Sequence, residues 1–127
     1  MKIKFEPVGI VKNKITDRHK MPYEGVDSTI FIYPRYRKAL KGLNIHSYIW
    51  VISYLHKAKK NVLLARRRKK LPLDKIYRGV FSVRSPDRPN PIAISRVELV
   101  YSLKGIIKVK GLDVIDGTPV LDIKNSK

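Results

Sequence analysis

Apolar residues fall along the chain in short runs rich in Val, Ile, Tyr and Phe, several of them bounded by Gly, Pro or Asp. Residues 3–11, 28–33, 47–56, 77–83, 92–103, 105–114 and 119–124 follow this pattern and are predicted as strands. Many short strands without a repeat point to an all-β fold, a barrel or a sandwich. Residues 34–41 form the one compact helix candidate, with Pro34 suited to a first turn and Gly42 to the position after the end. No linker or shift of composition divides the chain, so a single domain over residues 1–127 is expected.

Charge changes this picture most. Lys and Arg number 28 against 10 acidic residues, a formal charge of +18. Lys-rich, Cys-free composition also suits a heat-adapted protein, but stabilising surface networks need both signs of charge. So one-sided an excess points to a polyanion, and nucleic acid fits best because neutralised phosphates release condensed counterions. The excess is densest between residues 57 and 70, where Lys57, Lys59, Lys60, Arg66, Arg67, Arg68, Lys69 and Lys70 occur with no acid among them. Such a block repels itself unless it is mobile or meets an anion, and an RNA-facing loop is the expectation. With no Cys there is neither a disulfide nor a thiolate metal site, and the three histidines, His19, His46 and His56, lack metal-ligand spacing. The first 14 residues lack the apolar core of a signal peptide, and the longest apolar stretch, residues 48–55, is far below the ~20 residues a bilayer requires. A cytoplasmic protein that binds no membrane and no metal is expected.

Two segments carry chemistry. In the first, Pro86, Pro89 and Pro91 interleave with Arg84, Arg88 and Asn90. Each proline fixes its own φ and pushes its predecessor towards an extended conformation, so the loop should be stiff. A stiff loop bearing two guanidiniums and an amide suits a carboxylate or phosphate; as a bare pattern it is also a rigid surface turn. In the second, Asp116-Gly117 between apolar runs signals a hairpin turn. The same stretch holds Asp113, Asp116 and Asp122, three of the ten carboxylates. Asp is a natural acceptor for ribose hydroxyls or an amino group, so this end of the strand pair is a nucleoside-contact candidate.

The run from Gly79 to Ile92 and the run from Gly111 to Lys124, in this order and separation, resemble the two signature regions of the TrmO family. Weaker similarity lies in Val8-Gly9-Ile10-Val11, in the stretch from Tyr36 to Leu43 and in Ser47-Tyr48-Ile49-Trp50. The resemblance implies a single antiparallel β-barrel with one or two short helices, acting as a homodimer and using S-adenosyl-L-methionine (SAM). It implies methylation at N6 of threonylcarbamoyladenosine at position 37 of tRNA. The absence of a strand-following G-x-G-x-x-G agrees with a non-Rossmann cofactor site. Carried over by position, the cofactor would meet Glu24, Gly25, His56, Arg84, Ile94, Leu112 and Asp113; RNA contacts are expected at Arg66 to Lys70 of the basic block and at Arg88 and Asn90 of the proline-rich loop. Asp87 departs from the family, which more often has Phe or Thr there. Many bacterial members continue into a further domain, so tRNA is expected to be gripped by the basic barrel or a partner subunit. The acceptor nitrogen is a poor nucleophile, and Asp116 is the candidate to take its proton; equally, its side chain could cap the predicted turn. The competing reading is a non-catalytic, basic RNA-binding β-barrel.

Overall fold

The computed structural model describes residues 1–66 and 76–126. The strands are β1 (Gly9–Lys12), β2 (Val26–Ile32), β3 (Tyr48–Tyr54), β4 (Leu64–Ala65), β5 (Arg78–Gly79), β6 (Ile92–Leu103), β7 (Ile106–Leu112) and β8 (Pro119–Asn125). Six of them close an antiparallel barrel in the order β1-β2-β7-β6-β3-β8, and β4 pairs with β5 outside it. Closure removes the unpaired edges that an open sheet exposes.

Period-two patterning places the core. Ile30 and Ile32 on β2, Ile49 and Val51 on β3, Val97 and Leu99 on β6, and Ile107 and Val109 on β7 all point inward and are buried. Their alternates, such as Phe31, Trp50, Ile94 and Lys110, face outward. Towards one mouth the interior turns from branched aliphatics to small polar groups, with Ser28, Ser53, Ser95 and Thr118 all buried. Register shifts between Val26 and Ser28 and between Ile52 and Ser53 lie at this same end.

Two expected strands differ. The first begins only at Gly9, and the exposed residues 1–7 stay outside the barrel; Pro7 has no N–H to give a ladder. In the stretch 77–83 only Arg78–Gly79 pairs, with Leu64–Ala65, and Val80–Ser82 turns into a 3-10 helix. A closed six-stranded barrel has no edge left for it. The expected helix forms as the 3-10 helix Pro34–Leu40, and a third lies at Arg18–Lys20. No helix among the described residues is long and apolar enough to cross a membrane.

Candidate functional site

The polar mouth of the barrel opens into a cleft of about 800 Å³, within the range of small-molecule sites. Four segments wall it: residues 18–23, residues 55–58, the proline-rich loop from Ser82 to Arg88, and residues 113–115 at the end of β7. The two segments that the sequence singled out, which begin at Gly79 and Gly111, therefore face one space because β6 and β7 are paired neighbours.

The proline-rich loop is held from inside and outside. Arg88 donates from Nε to the Ser85 carbonyl at 2.8 Å and from Nη1 to the Ile92 carbonyl at 2.7 Å. That guanidinium lines the cleft but is largely spent on stapling its own loop, which qualifies its expected role as an RNA contact. Asp87 fastens the loop outward. Its carboxylate accepts from Arg18 Nη1 at 2.6 Å and from the Lys59 backbone N–H at 2.7 Å. Further backbone bonds, Arg88 N–H to Lys59 O at 3.3 Å and Leu55 N–H to Pro91 O at 2.7 Å, close the base of the excursion. Burial opposes ionisation of Asp87, but the hydrogen bonds from Arg18 and Lys59 and their positive charges outweigh it, so its carboxyl sits below the ordinary range. Arg84, by contrast, makes no hydrogen bond or ion pair among the described residues and lies exposed at the cleft wall.

On the opposite wall Asp113 accepts from the Ser95 hydroxyl at 2.7 Å. Ser95 is an inward position of β6, so the barrel itself orients this carboxylate. His56, just past β3, completes the group. Burial first, and the neighbouring Lys57 charge second, lower its pKa and favour the neutral imidazole. Its Nδ1 is buried without a hydrogen-bond partner, and its Nε2 faces the Gly117 turn, where an added Cβ would stand 3.9 Å away. A buried, unpartnered ring nitrogen is costly unless a ligand engages it.

His56, Arg66, Arg84, Arg88 and Asp113 are thus brought together, with the Arg66 guanidinium 5.3 Å from the centre of the Tyr77 ring. The other expected residues lie elsewhere. Leu112 is fully buried in the core, Ile94 is 56% exposed on the outer wall, and neither Glu24 nor Asn90 lines the cleft. Gly25 acts through its backbone: at φ +75°, a Cβ would fall 2.6 Å from the Gly111 carbonyl. Asp116, the expected proton acceptor, does not line the cleft. Its carboxylate accepts the Asn13 N–H at 3.1 Å, which makes it a tie between the turn and residues 13–15. Arg67, Arg68, Lys69 and Lys70 lie outside the described residues. Arg18 and Ser95 went unmarked in the sequence; only the inward parity of Ser95 hinted at its place. No group of three His, Asp or Glu side chains among the described residues is placed to hold a metal.

Fold and site together define a β-barrel protein with one mixed-charge cleft, rimmed by arginines and floored by a carboxylate and a neutral imidazole. The family described as the tRNA-methyltransferase O N-terminal domain matches residues 10–126. A probable S-adenosyl-L-methionine-binding protein of Methanothermobacter thermautotrophicus is 42% identical over 98% of this chain and 90% of its own length. A tRNA (adenine(37)-N6)-methyltransferase of Homo sapiens is 34% identical over 94% of this chain, which spans 29% of that protein. A crystal structure of TrmO from Pseudomonas aeruginosa superposes with a TM-score of 0.78 at 30% identity, covering 100% of this chain and 57% of that one. The chain belongs to the tRNA-methyltransferase O N-terminal domain family.

Proposed function

We propose that this protein is a SAM-dependent methyltransferase that methylates N6 of threonylcarbamoyladenosine at position 37 of tRNA, in the cytoplasm and as a homodimer. One observation carries the reading: the proline-stiffened loop bearing Arg84 and the Asp113 wall converge on one cleft beside a buried, unpartnered His56 nitrogen. The residues present fit SAM. Arg84 would hold its carboxylate and Asp113 its hydroxyl or amino groups, while Met21, Leu55 and Val83 line the same cleft as apolar walls. The tRNA and the position follow the names of the mammalian relatives, and the +18 charge supports a polyanionic partner.

SAM, when bound, supplies a methyl group on a sulfonium. The chain's own task is to align donor and acceptor, exclude water and take up the acceptor proton. Within the cleft a neutral His56 is better suited to the proton than Asp116, which is engaged with Asn13. The homodimer reading is supported by the outer face, where Ile94 stands opposite Ile52 in the β3–β6 pair and is exposed. Ile94 can meet a cofactor only if a second subunit brings one to that face.

Calorimetric titration with SAM tests the proposal: micromolar binding lost in Arg84→Ala supports the enzyme. The absence of heat together with full tRNA affinity would favour the non-catalytic RNA-binding barrel. Mass spectrometry of digested tRNA after reaction identifies the nucleoside that gains the methyl group.

A further inference from the structure

At the barrel end opposite the cleft lies a second concavity, of about 590 Å³, between the Pro34–Leu40 turn and the β6–β7 hairpin. Its lining includes Arg37, Lys38, Lys41 and Lys104 and no carboxylate. Lys38, Lys41 and Lys104 form no ion pair among the described residues. Four cations converging without a counter-charge repel one another, so the groove is electrostatically unfavourable until an anion enters it.

Backbone geometry gives a second, separate reason to regard the cluster as built. The hairpin turns through Lys104 and Gly105, both left-handed, with φ of 51° and 80°. Two-residue turns of this type favour Asn-Gly, and a long side chain at the first position is strained. Here the strained position is occupied by a lysine that lines the groove. Gly105 in turn leaves room for Arg37: an added Cβ would fall 2.2 Å from Arg37 Nε. Arg37 thereby lies over the turn, and its Nε is fixed on the Ile32 carbonyl at 3.3 Å. Its terminal nitrogens make no hydrogen bond or ion pair among the described residues, and the residue lines the groove.

We infer that this groove is a second phosphate-binding site, which grips the RNA backbone away from the reacting base. The inference rests on the tRNA-methyltransferase reading for the identity of the RNA, but not for the existence of the site. Ala93 at the cleft and Ser102 at the groove both lie on β6, at most about 30 Å apart along the strand. A structured RNA bound at both ends would span one side of the barrel, and the groove would set its register while the cleft performs the chemistry. Phosphate contacts of this kind fix position and carry no base information.

The test is a triple variant, Lys38→Ala/Lys41→Ala/Lys104→Asn, assayed with a tRNA substrate over a series of salt concentrations. Loss of about three phosphate contacts should make the slope of log affinity against log salt shallower by about 2 and raise KM for tRNA about tenfold. SAM affinity and kcat should stay as they are. Lys104→Asn alone should weaken tRNA binding while raising Tm by about 2–4 °C, since it relieves the turn. An unchanged salt slope in the triple variant overturns the inference, as does a Lys104→Asn protein that is stabilised but binds tRNA with full affinity. A wild-type protein that binds tRNA without ever binding SAM would instead sink the methyltransferase reading and leave the salt-slope measurement to decide the groove.

Discussion

Asp87 shows how much one carboxylate does at the cleft. It joins the proline-rich loop to Arg18 and to Lys59, side chains and backbone that lie 69 and 28 residues away in sequence. Replacing it with Ala should loosen all three segments. Each charge-assisted bond contributes roughly 1.5–3 kcal/mol when buried, less for a pair whose side chains are 23% exposed, so a net loss of about 1 kcal/mol in urea unfolding is expected. Because its folded pKa is held below the ordinary 3.8, this contribution is complete above that pH and disappears as pH falls through the lowered value. Asp87→Asn should therefore flatten the acid limb of the stability curve.

His56 carries the other pH signature. Its pKa is lowered from 6.5, so the folded state binds its proton less readily than the unfolded chain, and stability falls as pH drops from 6.5 through the lowered value. With neutral His56 taking the acceptor proton, log kcat should hold as pH drops below 6.5 and fall only as pH passes through the lowered value. His56→Asn should lower kcat at neutral pH and remove that dependence; a profile identical to wild type would exclude the histidine as the acceptor.

Among the elements, the Gly25–Gly111 contact is the most exacting. Gly25 has φ +75°, and the backbone of Gly111 and Leu112 occupies the space of its missing Cβ. Gly25→Ala combines a left-handed strain with a backbone clash and should destabilise by about 2–3 kcal/mol, readable as a lower urea midpoint with unchanged slope. Nothing in the sequence marks this pairing, because the two glycines are linked only through the β2–β7 register. Most strands were legible because inward and outward residues alternate over lengths such as Tyr48–Tyr54. The stretch 77–83 was misleading for the opposite reason: β-branched and aromatic residues lend it strand character, but the closed barrel has no edge for it and only Arg78–Gly79 pairs, outside the barrel. At the site, Arg84 and Asp113 could be singled out because proline spacing and scarce carboxylates are local signals. Asp116 could not be separated from Asp113 by sequence, since its bond to Asn13 spans 103 residues.

For the whole molecule, the proposed homodimer would assemble through the exposed outer wall around Ile94. Ile94→Asp should convert a dimer into a monomer, measured by light scattering during gel filtration. Loss of SAM affinity in that monomer would mean that each cleft needs its partner subunit; retained affinity would confine the cofactor to one chain.

The barrel also separates folding from chemistry along the chain. The excursion that bears most of the cleft leaves after β3 and returns before β6, and the Leu55–Pro91 hydrogen bond ties its two ends together across adjacent strands. Loop length adds little to the entropy of closing such a stem. The insert could accordingly be lengthened, shortened or rewritten, and what is bound changed with it, without altering a pairing in the scaffold beneath it.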